Sequence, residues 1–278
     1  GALLRSVEDT GSTTPVIQVF EGAAGLQYWA RDIAQFWIEP SGAAVWYRVA
    51  PGAAAADVEH MLAGPVLGLA LQVQGQVQMH AGAVVVDGAA VAFAAPHGFG
   101  KSTLAAAFVR AGYPLLSDDV LPLDLRDGAC RALHSLPRIK LWGDSLTALG
   151  EDEQRYETVL SGYPKRRVTV GRHWGEAAPE GAPLAAVYLL APHPNPAATI
   201  VISDVEPAPA VLQLVGNMYL AETLCGRRAV QALDAAVQLA ATTRVRALSY
   251  YRGYAELPAL MDAIVADVRS RPSRTGAG

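Results

Sequence analysis

Cysteine is scarce in this sequence, and its scarcity removes two common ways of holding a fold together. The 278 residues include 2 cysteines, Cys130 and Cys225, which lie far apart along the chain. Neither belongs to a CxxC pair, and no HExxH motif or clustered His/Cys spacing occurs, so nothing in the sequence indicates a zinc site. We expect two buried free thiols, and a disulfide between them is the alternative.

Positive charge and long apolar runs are also lacking. The formal net charge is −4 at pH 7, which provides no basic field of the kind that nucleic-acid binders need. No apolar run reaches the roughly 18 residues of a membrane span. Residues 1–15 lack the basic start and apolar core of a signal peptide. These absences predict a cytoplasmic protein with neither a nucleic acid nor a membrane as its partner.

Apolar residues are plentiful, at 51% of the chain, so a sizeable core is expected. We predict a small N-terminal β/α region at 1–75, for which substrate recognition is the role to test. A catalytic domain is predicted at 76–270 and a tail at 271–278. The N-terminal region is predicted to hold a mobile segment at 1–15, strands at 16–20, 35–40 and 44–50, and a helix at 55–72 that is broken or kinked at Gly64-Pro65.

The segment from 79 to 125 has the most informative pattern of the chain. Two apolar strands are joined by Asp87-Gly88, a strong hairpin signal. A glycine-rich loop follows, then a helix that Gly112 ends, and then an apolar strand that carries Asp118 and Asp119 at its end. This order of strand, loop, helix and strand predicts an α/β fold.

The remaining chain gives a coarser prediction. Residues 128–182 are irregular, with a strand at LPRIKLW and a short helix at DSLTALGED. Further strands are expected at 185–192 and 199–207, and helices at 208–224 and 227–241. The sequence VRALSYYRGY is either a last strand or a turn, and an amphipathic helix starts at Leu257.

Residues 95–102 read Ala-Pro-His-Gly-Phe-Gly-Lys-Ser, which matches the Walker A pattern except that Ala95 replaces its first glycine. Lys101 is predicted to reach the β- and γ-phosphates of ATP, and the Ser102 hydroxyl to ligate Mg²⁺. A chance glycine-rich turn is the alternative. The predicted nucleotide-binding residues are His97, Gly98, Phe99, Gly100, Lys101, Ser102 and Thr103.

Asp118 and Asp119 follow the strand after the loop helix, where strand ends meet a ligand crevice. We predict Asp118 to be the general base for an attacking hydroxyl and Asp119 to bind the metal with Ser102, because neighbours on a strand point to opposite faces. A pair that serves the metal alone, or a solvated turn, are the alternatives. Taken alone, His80 near an apolar strand is more often a structural histidine.

Together these motifs resemble the catalytic domain of HPr kinase/phosphorylase. The resemblance is carried by His80-Ala81-Gly82, the loop, Arg110-Ala111-Gly112-Tyr113 and Ser117-Asp118-Asp119. It implies a P-loop kinase core of the HPr kinase/phosphoenolpyruvate carboxykinase type, with a small β-rich N-terminal region. It also implies His80 beside the phosphates, Lys101 and Ser102 on ATP-Mg²⁺, and catalytic aspartates.

The chain departs from that family at Ala95, Pro96, His97 and Thr103, and it lacks the downstream glycine-rich signature. Its layout is more similar to the HPr kinase-like proteins of lasso-peptide biosynthesis, which phosphorylate a C-terminal serine of a precursor peptide. This likeness implies a precursor peptide or small protein as acceptor, held by Arg138, Lys140 or Lys165, and allows a homo-oligomer.

Three alternatives to this serine kinase remain: an HPr-type regulatory protein kinase, a P-loop kinase of a small metabolite, and a nucleotide-binding regulator without catalysis.

Overall fold

A computed structural model describes residues 1–8, 15–171, 173–195 and 199–270. The predicted tail lies outside these ranges. The strands of the described chain are β1 (Ala2–Glu8), β2 (Pro15–Gly22), β3 (Gly25–Ala30), β4 (Ala34–Ile38), β5 (Val45–Val49), β6 (Val77–Met79), β7 (Ala81–Val86), β8 (Ala89–Ala94), β9 (Leu115–Ser117), β10 (Leu121–Asp124), β11 (Arg131–Ala132), β12 (Arg138–Leu141), β13 (Thr158–Leu160), β14 (Tyr163–Thr169), β15 (Ala182–His193), β16 (Val201–Asp204) and β17 (Arg244–Tyr251). The α-helices are α1 (Ala55–Met61), α2 (Leu67–Val73), α3 (Lys101–Arg110), α4 (Gly143–Ala148), α5 (Pro207–Gly216), α6 (Gly226–Thr242) and α7 (Leu257–Arg269).

The first five strands form one antiparallel sheet in the order β1-β2-β3-β4-β5. Buried and half-buried residues alternate along β3 and β4, so one face of the sheet packs on a core with α1 and α2. The two helices are joined by a π-helical turn, Leu62–Val66, that contains Pro65, which confirms the predicted kink. Leu160 and Leu220 also pack against this core, so it extends past the predicted boundary at residue 75.

Two predictions for the N-terminal region were wrong. Residues 2–8 form β1 instead of a mobile segment, because their backbone pairs with β2. Strand β3 was missed; Gly22 and Gly25 pair at the tight hairpin turn that leads into it. Residues 9–14 lie outside the described chain.

The central sheet is mixed. Strands β8, β15 and β17 run parallel, whereas β7 folds back on β8 through Asp87 and Gly88, whose φ angles are 48° and 80°. Strand β9 pairs antiparallel with β7 and therefore runs in the same direction as β8. The carboxyl ends of β8 and β9 thus lie at one edge of the sheet, and the glycine-rich loop and the two aspartates begin there.

Helices cover both faces of this sheet. Alternate residues of β8 divide between the two sides: Val91 and Phe93 join a core with α3 and α7, whereas Ala92 joins a core with α5 and α6. This layering confirms the α/β prediction at the level of class. The assignment to the HPr kinase type stays a prediction.

A third sheet, of order β12-β14-β13, lies in the segment that was predicted to be irregular. Strand β12 confirms the prediction at LPRIKLW, and α4 confirms the short helix after it. Strands β13 and β14 were missed, because Tyr163–Thr169 carries three consecutive basic residues and no clear apolar alternation.

The C-terminal part follows its prediction with two changes. Helix α5 ends at Gly216 instead of residue 224, and VRALSYYRGY is largely the strand β17. Both cysteines are free; Cys130 is buried as predicted, whereas Cys225 is only half-buried. Within the ranges that the structure describes, no helix is long and apolar enough to cross a membrane.

Candidate functional site

The glycine-rich loop connects the end of β8 to the start of α3. Gly98 and Gly100 have φ angles of 84° and 93°, in the left-handed region that glycine adopts without strain. Ala95, which stands where the Walker pattern has glycine, is buried and has no positive φ. Its Cβ is therefore compatible with the turn, and the departure from the motif at this position does not disrupt the loop.

Lys101, the first residue of α3, curls back into its own loop. Its Nζ donates hydrogen bonds to the carbonyl oxygens of Ala95 at 2.7 Å and Pro96 at 3.2 Å. Burial lowers the pKa of Lys101 to about 8, against the opposing charges of Asp119 and Asp118. A cation that is held inside a ring of backbone groups is well placed to meet an anion that enters the loop.

Asp118 lies directly after β9 and is buried. Its Oδ2 accepts a hydrogen bond of 2.9 Å from the backbone N–H of Lys140, and the Ser102 hydroxyl lies close enough to favour the ionised carboxylate. Its Oδ1 is buried without a hydrogen-bond partner. Burial, and secondly the charge of Asp119, raise the pKa of Asp118 above the usual range.

Asp119 has a different environment although it is the next residue. Its carboxylate forms an ion pair with the Lys140 ammonium and approaches His80 Nδ1 at 3.0 Å. Burial opposes its ionisation, but Lys140 and His80 outweigh that effect and hold the pKa of Asp119 well below its usual range. The two aspartates follow the strand, and Asp119 has a φ of 79°. The strand alternation assumed from the sequence therefore does not apply to them.

The three basic residues predicted to hold the acceptor lie in different surroundings. Lys140 belongs to the aspartate pair, and Lys165 lies over the Trp142 ring, 5.4 Å from its centroid. Arg138 pairs with Glu59 of α1 at 3.1 Å and is not among the residues that line the cavity with the loop, so its predicted role in holding the acceptor stays a prediction. Arg138 and Lys140 lie two residues apart on β12 and therefore share one of its faces.

The remaining loop residues also have defined positions. Thr103 Oγ1 lies 3.1 Å from Ser145 Oγ, and the carbonyl of Phe99 accepts a 3.2 Å hydrogen bond from the Tyr250 hydroxyl. His97 faces the cavity, and burial, followed by the charges of Lys165 and Lys101, lowers its pKa.

One cavity of about 1150 Å³ joins these groups. It lies between the N-terminal sheet with α1 on one side and the loop, the aspartates and the carboxyl end of β17 on the other. Sequence reasoning missed several of its lining residues, which come from distant segments and belong to no local motif; they include His60, Trp142, Ser145, Tyr163, Tyr219 and Tyr254.

The donors at the loop suit a small hard cation. The unpartnered Asp118 Oδ1 and the Ser102 hydroxyl are oxygen ligands of the type that Mg²⁺ prefers. Among the described residues, no group of three or more His, Cys, Asp or Glu side chains is arranged to hold a metal. Mg²⁺ here would therefore need phosphate and water oxygens to complete its coordination, as in other nucleotide sites.

Comparison with known proteins gives little beyond this geometry. No family model matches the chain, and no curated protein matches it. Among solved structures it is similar to the Hpr(Ser) kinase/phosphatase from Coxiella burnetii, with 15% sequence identity and a TM-score of 0.41; the match covers 69% of this chain and 96% of that one. A TM-score at this level leaves the function to be argued from the chain's own residues.

Proposed function

We propose that this protein is an ATP- and Mg²⁺-dependent kinase that phosphorylates a serine hydroxyl of a peptide or protein. The observation that carries the proposal is the meeting of four side chains in one cavity: Lys101 and Ser102 from the start of α3, and Asp118 and Asp119 from the end of β9. Phosphoryl transfer needs these parts together: a phosphate cradle, a cation, a metal position and a group that receives the acceptor proton.

The loop and Lys101 bind the phosphates. Backbone N–H groups around Gly98 and Gly100 and the amino end of α3, which has 10 residues, attract an anion. Lys101 exchanges its bonds to the Ala95 and Pro96 carbonyls for bonds to phosphate oxygens. The exchange replaces neutral acceptors with charged ones, and charge-assisted hydrogen bonds are roughly twice as strong.

We assign the aspartates the reverse of the roles that their sequence position suggested. Asp118 contacts Ser102 and has a free buried oxygen, which favours it as the metal-side carboxylate. The two oxygens of Asp119 face the Lys140 ammonium and His80 Nδ1, which supports its assignment as the group that orients the acceptor hydroxyl. Mg²⁺, when bound, would offset the charge that develops on the β- and γ-phosphates.

A carboxylate with a low pKa can fill this role. Phosphoryl transfer passes through a loose transition state in which the nucleophile has bonded little, so the serine proton leaves late and positioning matters more than basicity. Lys140 holds Asp119 ionised and ready to accept. His80 fixes the second carboxylate oxygen and so limits rotation of the side chain.

The acceptor is proposed to be the C-terminal serine of a precursor peptide. Two features support a chain-like acceptor: the cavity is larger than the roughly 300–1,000 Å³ typical of small-molecule sites, and it continues from the aspartates to the N-terminal sheet. Lys165, which stacks on Trp142 at the rim, is placed to attract a terminal carboxylate.

Mass spectrometry tests the proposal. Incubation of the enzyme with ATP-Mg²⁺ and a peptide that ends in serine should add one phosphate, and replacing that serine with alanine should abolish the addition. Lys101→Ala enzyme serves as the inactive control. Phosphate on a folded carrier protein or on a metabolite, with the peptide unmodified, would refute the peptide acceptor. No phosphate transfer to any hydroxyl acceptor would refute the kinase.

A further inference from the structure

Three hydroxyl groups form a line that starts at the glycine-rich loop helix. Thr103 Oγ1 lies 3.1 Å from Ser145 Oγ, which in turn lies 3.2 Å from the Tyr254 hydroxyl. The three residues come from α3, from α4 and from the turn before α7, so no local motif joins them. All three line the same cavity as Lys101.

The Tyr254 end is the most exposed part of this line. Ser145 is almost completely buried, at 2% relative exposure, whereas Tyr254 is 41% exposed. Asp144 is exposed and close enough to the Tyr254 hydroxyl to raise its pKa, an effect that is smaller than that of burial. Leu257 forms an apolar part of the wall next to them. An aromatic ring that is fixed at one end by hydrogen bonds and open to a cavity on its other side presents a rigid apolar surface.

The order of residues in the loop sets the direction of a bound triphosphate. Lys101 serves the β- and γ-phosphates and Ser102 the metal between them, and the aspartates mark the γ end. The α-phosphate therefore lies toward Thr103, and whatever is attached to it extends toward Ser145, Asp144 and Tyr254.

We infer that Tyr254 and Asp144 form the nucleoside subsite of this protein, with the base stacked on the Tyr254 ring and the ribose hydroxyls donating to the Asp144 carboxylate. This inference rests on the proposed function. An acidic side chain that accepts from ribose hydroxyls and an aromatic ring that stacks on a base are both established ways to hold a nucleoside. Ser145 is a positioning residue that links Tyr254 to Thr103.

A purely structural role for the same hydroxyls makes a different prediction. If the line only ties α4 to the turn before α7, removing the Tyr254 ring would loosen the loop and weaken every phosphate ligand alike. If the ring is a stacking surface, its removal weakens only ligands that carry a base. Inorganic tripolyphosphate has the phosphate chain of ATP but no base, so the two ligands distinguish these roles.

The test is calorimetric titration of the full chain with ATP, tripolyphosphate and 2′,3′-dideoxy-ATP, each with Mg²⁺. Tyr254→Ala should weaken ATP roughly 5- to 100-fold, the range of one base–aromatic stack, and change tripolyphosphate less than about twofold. Tyr254→Phe, which keeps the ring, should retain most of the ATP affinity. Asp144→Asn should weaken ATP but leave dideoxy-ATP unchanged, because that ligand lacks the ribose hydroxyls.

Tyr47→Ala is the matched control, since Tyr47 is an exposed tyrosine of the N-terminal sheet that does not line the cavity; its affinities should equal those of the wild type. Equal loss of ATP and tripolyphosphate in Tyr254→Ala, or no loss of either, would overturn the subsite. Wild-type protein that binds tripolyphosphate as tightly as ATP would overturn the subsite alone. If the wild-type protein binds neither ATP nor tripolyphosphate, the proposed function is overturned as well.

Discussion

Asp118 and Asp119 are adjacent in sequence but have opposite electrostatic environments. Asp118 is buried with one unpartnered oxygen and a raised pKa, whereas Asp119 lies between Lys140 and His80 and has a lowered pKa. Two carboxyl groups whose environments separate their pKa values are suited to different chemical tasks. Both carboxylates reach Lys140, but Asp118 meets its backbone N–H whereas Asp119 meets its ammonium group.

Asp118→Asn should stabilise the free protein at neutral pH. A carboxyl group whose pKa is raised in the folded state lowers the free energy of unfolding when it is ionised. This effect disappears as the pH falls below the ordinary aspartate pKa of about 4, because the group is then protonated in both the folded and the unfolded state. We expect a gain of about 0.5–2 kcal/mol at pH 7 and none near pH 3. Thermal unfolding without nucleotide at both pH values measures it. A variant that is less stable than the wild type at pH 7 would show that the ionised carboxylate supports the fold.

Asp119→Asn should act on turnover more than on binding. An amide keeps the size of the side chain but cannot accept the serine proton, so we expect a loss of roughly 10²–10⁴-fold in kcat with ATP affinity nearly unchanged. The metal role of Asp118 predicts that Asp118→Asn instead raises the Mg²⁺ concentration needed for half-maximal activity. Steady-state kinetics over a Mg²⁺ series distinguishes the two variants. The reverse pattern would restore the roles suggested by the sequence.

At the scale of elements, the glycine-rich loop tolerates a side chain at its first position. Ala95 is 2% exposed and packs in the core beneath α3. Ala95→Gly, which restores the Walker glycine, should therefore not improve ATP binding and should destabilise the fold by about 1 kcal/mol through lost packing and added backbone freedom. Calorimetry and denaturant unfolding test the two parts. A clear gain in ATP affinity would contradict the loop geometry.

The loop is also tied to β17 through the hydrogen bond from the Tyr250 hydroxyl to the Phe99 carbonyl. Tyr250→Phe removes this bond, which is worth about 0.5–1.5 kcal/mol, and should weaken ATP binding by roughly 2- to 12-fold. Tyr251→Phe is the matched control on the next residue of the same strand, and it should bind ATP like the wild type. Identical affinities for both variants would show that β17 does not support the loop.

The sequence predicted best those elements whose signals are local. The hairpin at Asp87-Gly88, the loop, α3 and the strand before Asp118 are contiguous, and each has a turn residue or a periodicity of its own. The partners of these residues were not predictable, because Lys140, Ser145 and Tyr254 reach the site only through tertiary packing. Strand β14 was missed because its three consecutive basic residues hide the alternation that marks a strand; of its residues, Tyr163 and Lys165 line the cavity.

At the scale of the molecule, the N-terminal region is anchored to the rest by specific polar contacts. The Asp57 carboxylate, buried on α1, accepts a 3.0 Å hydrogen bond from the backbone N–H of Ser161, next to β13. Asp57→Ala should destabilise the protein by about 1–3 kcal/mol, because it removes a hydrogen bond to a buried carboxylate.

Glu59→Ala on the same helix is the control for this anchor. It removes an ion pair with Arg138 whose side chains are 55% and 38% exposed, and such pairs contribute about 0–1 kcal/mol. Denaturant unfolding compares the two variants. Equal effects would mean that the buried bond does not anchor α1.

The most direct test of the central claim is calorimetric titration of a non-hydrolysable ATP analogue, with and without Mg²⁺, into the wild-type protein and Lys101→Ala. A phosphate-binding loop predicts tighter binding with Mg²⁺ in the wild type and a loss of roughly 10²–10³-fold in the variant, since Lys101 is the loop's own cation. Equal affinity of the two proteins for the analogue, with no effect of Mg²⁺, would contradict the account.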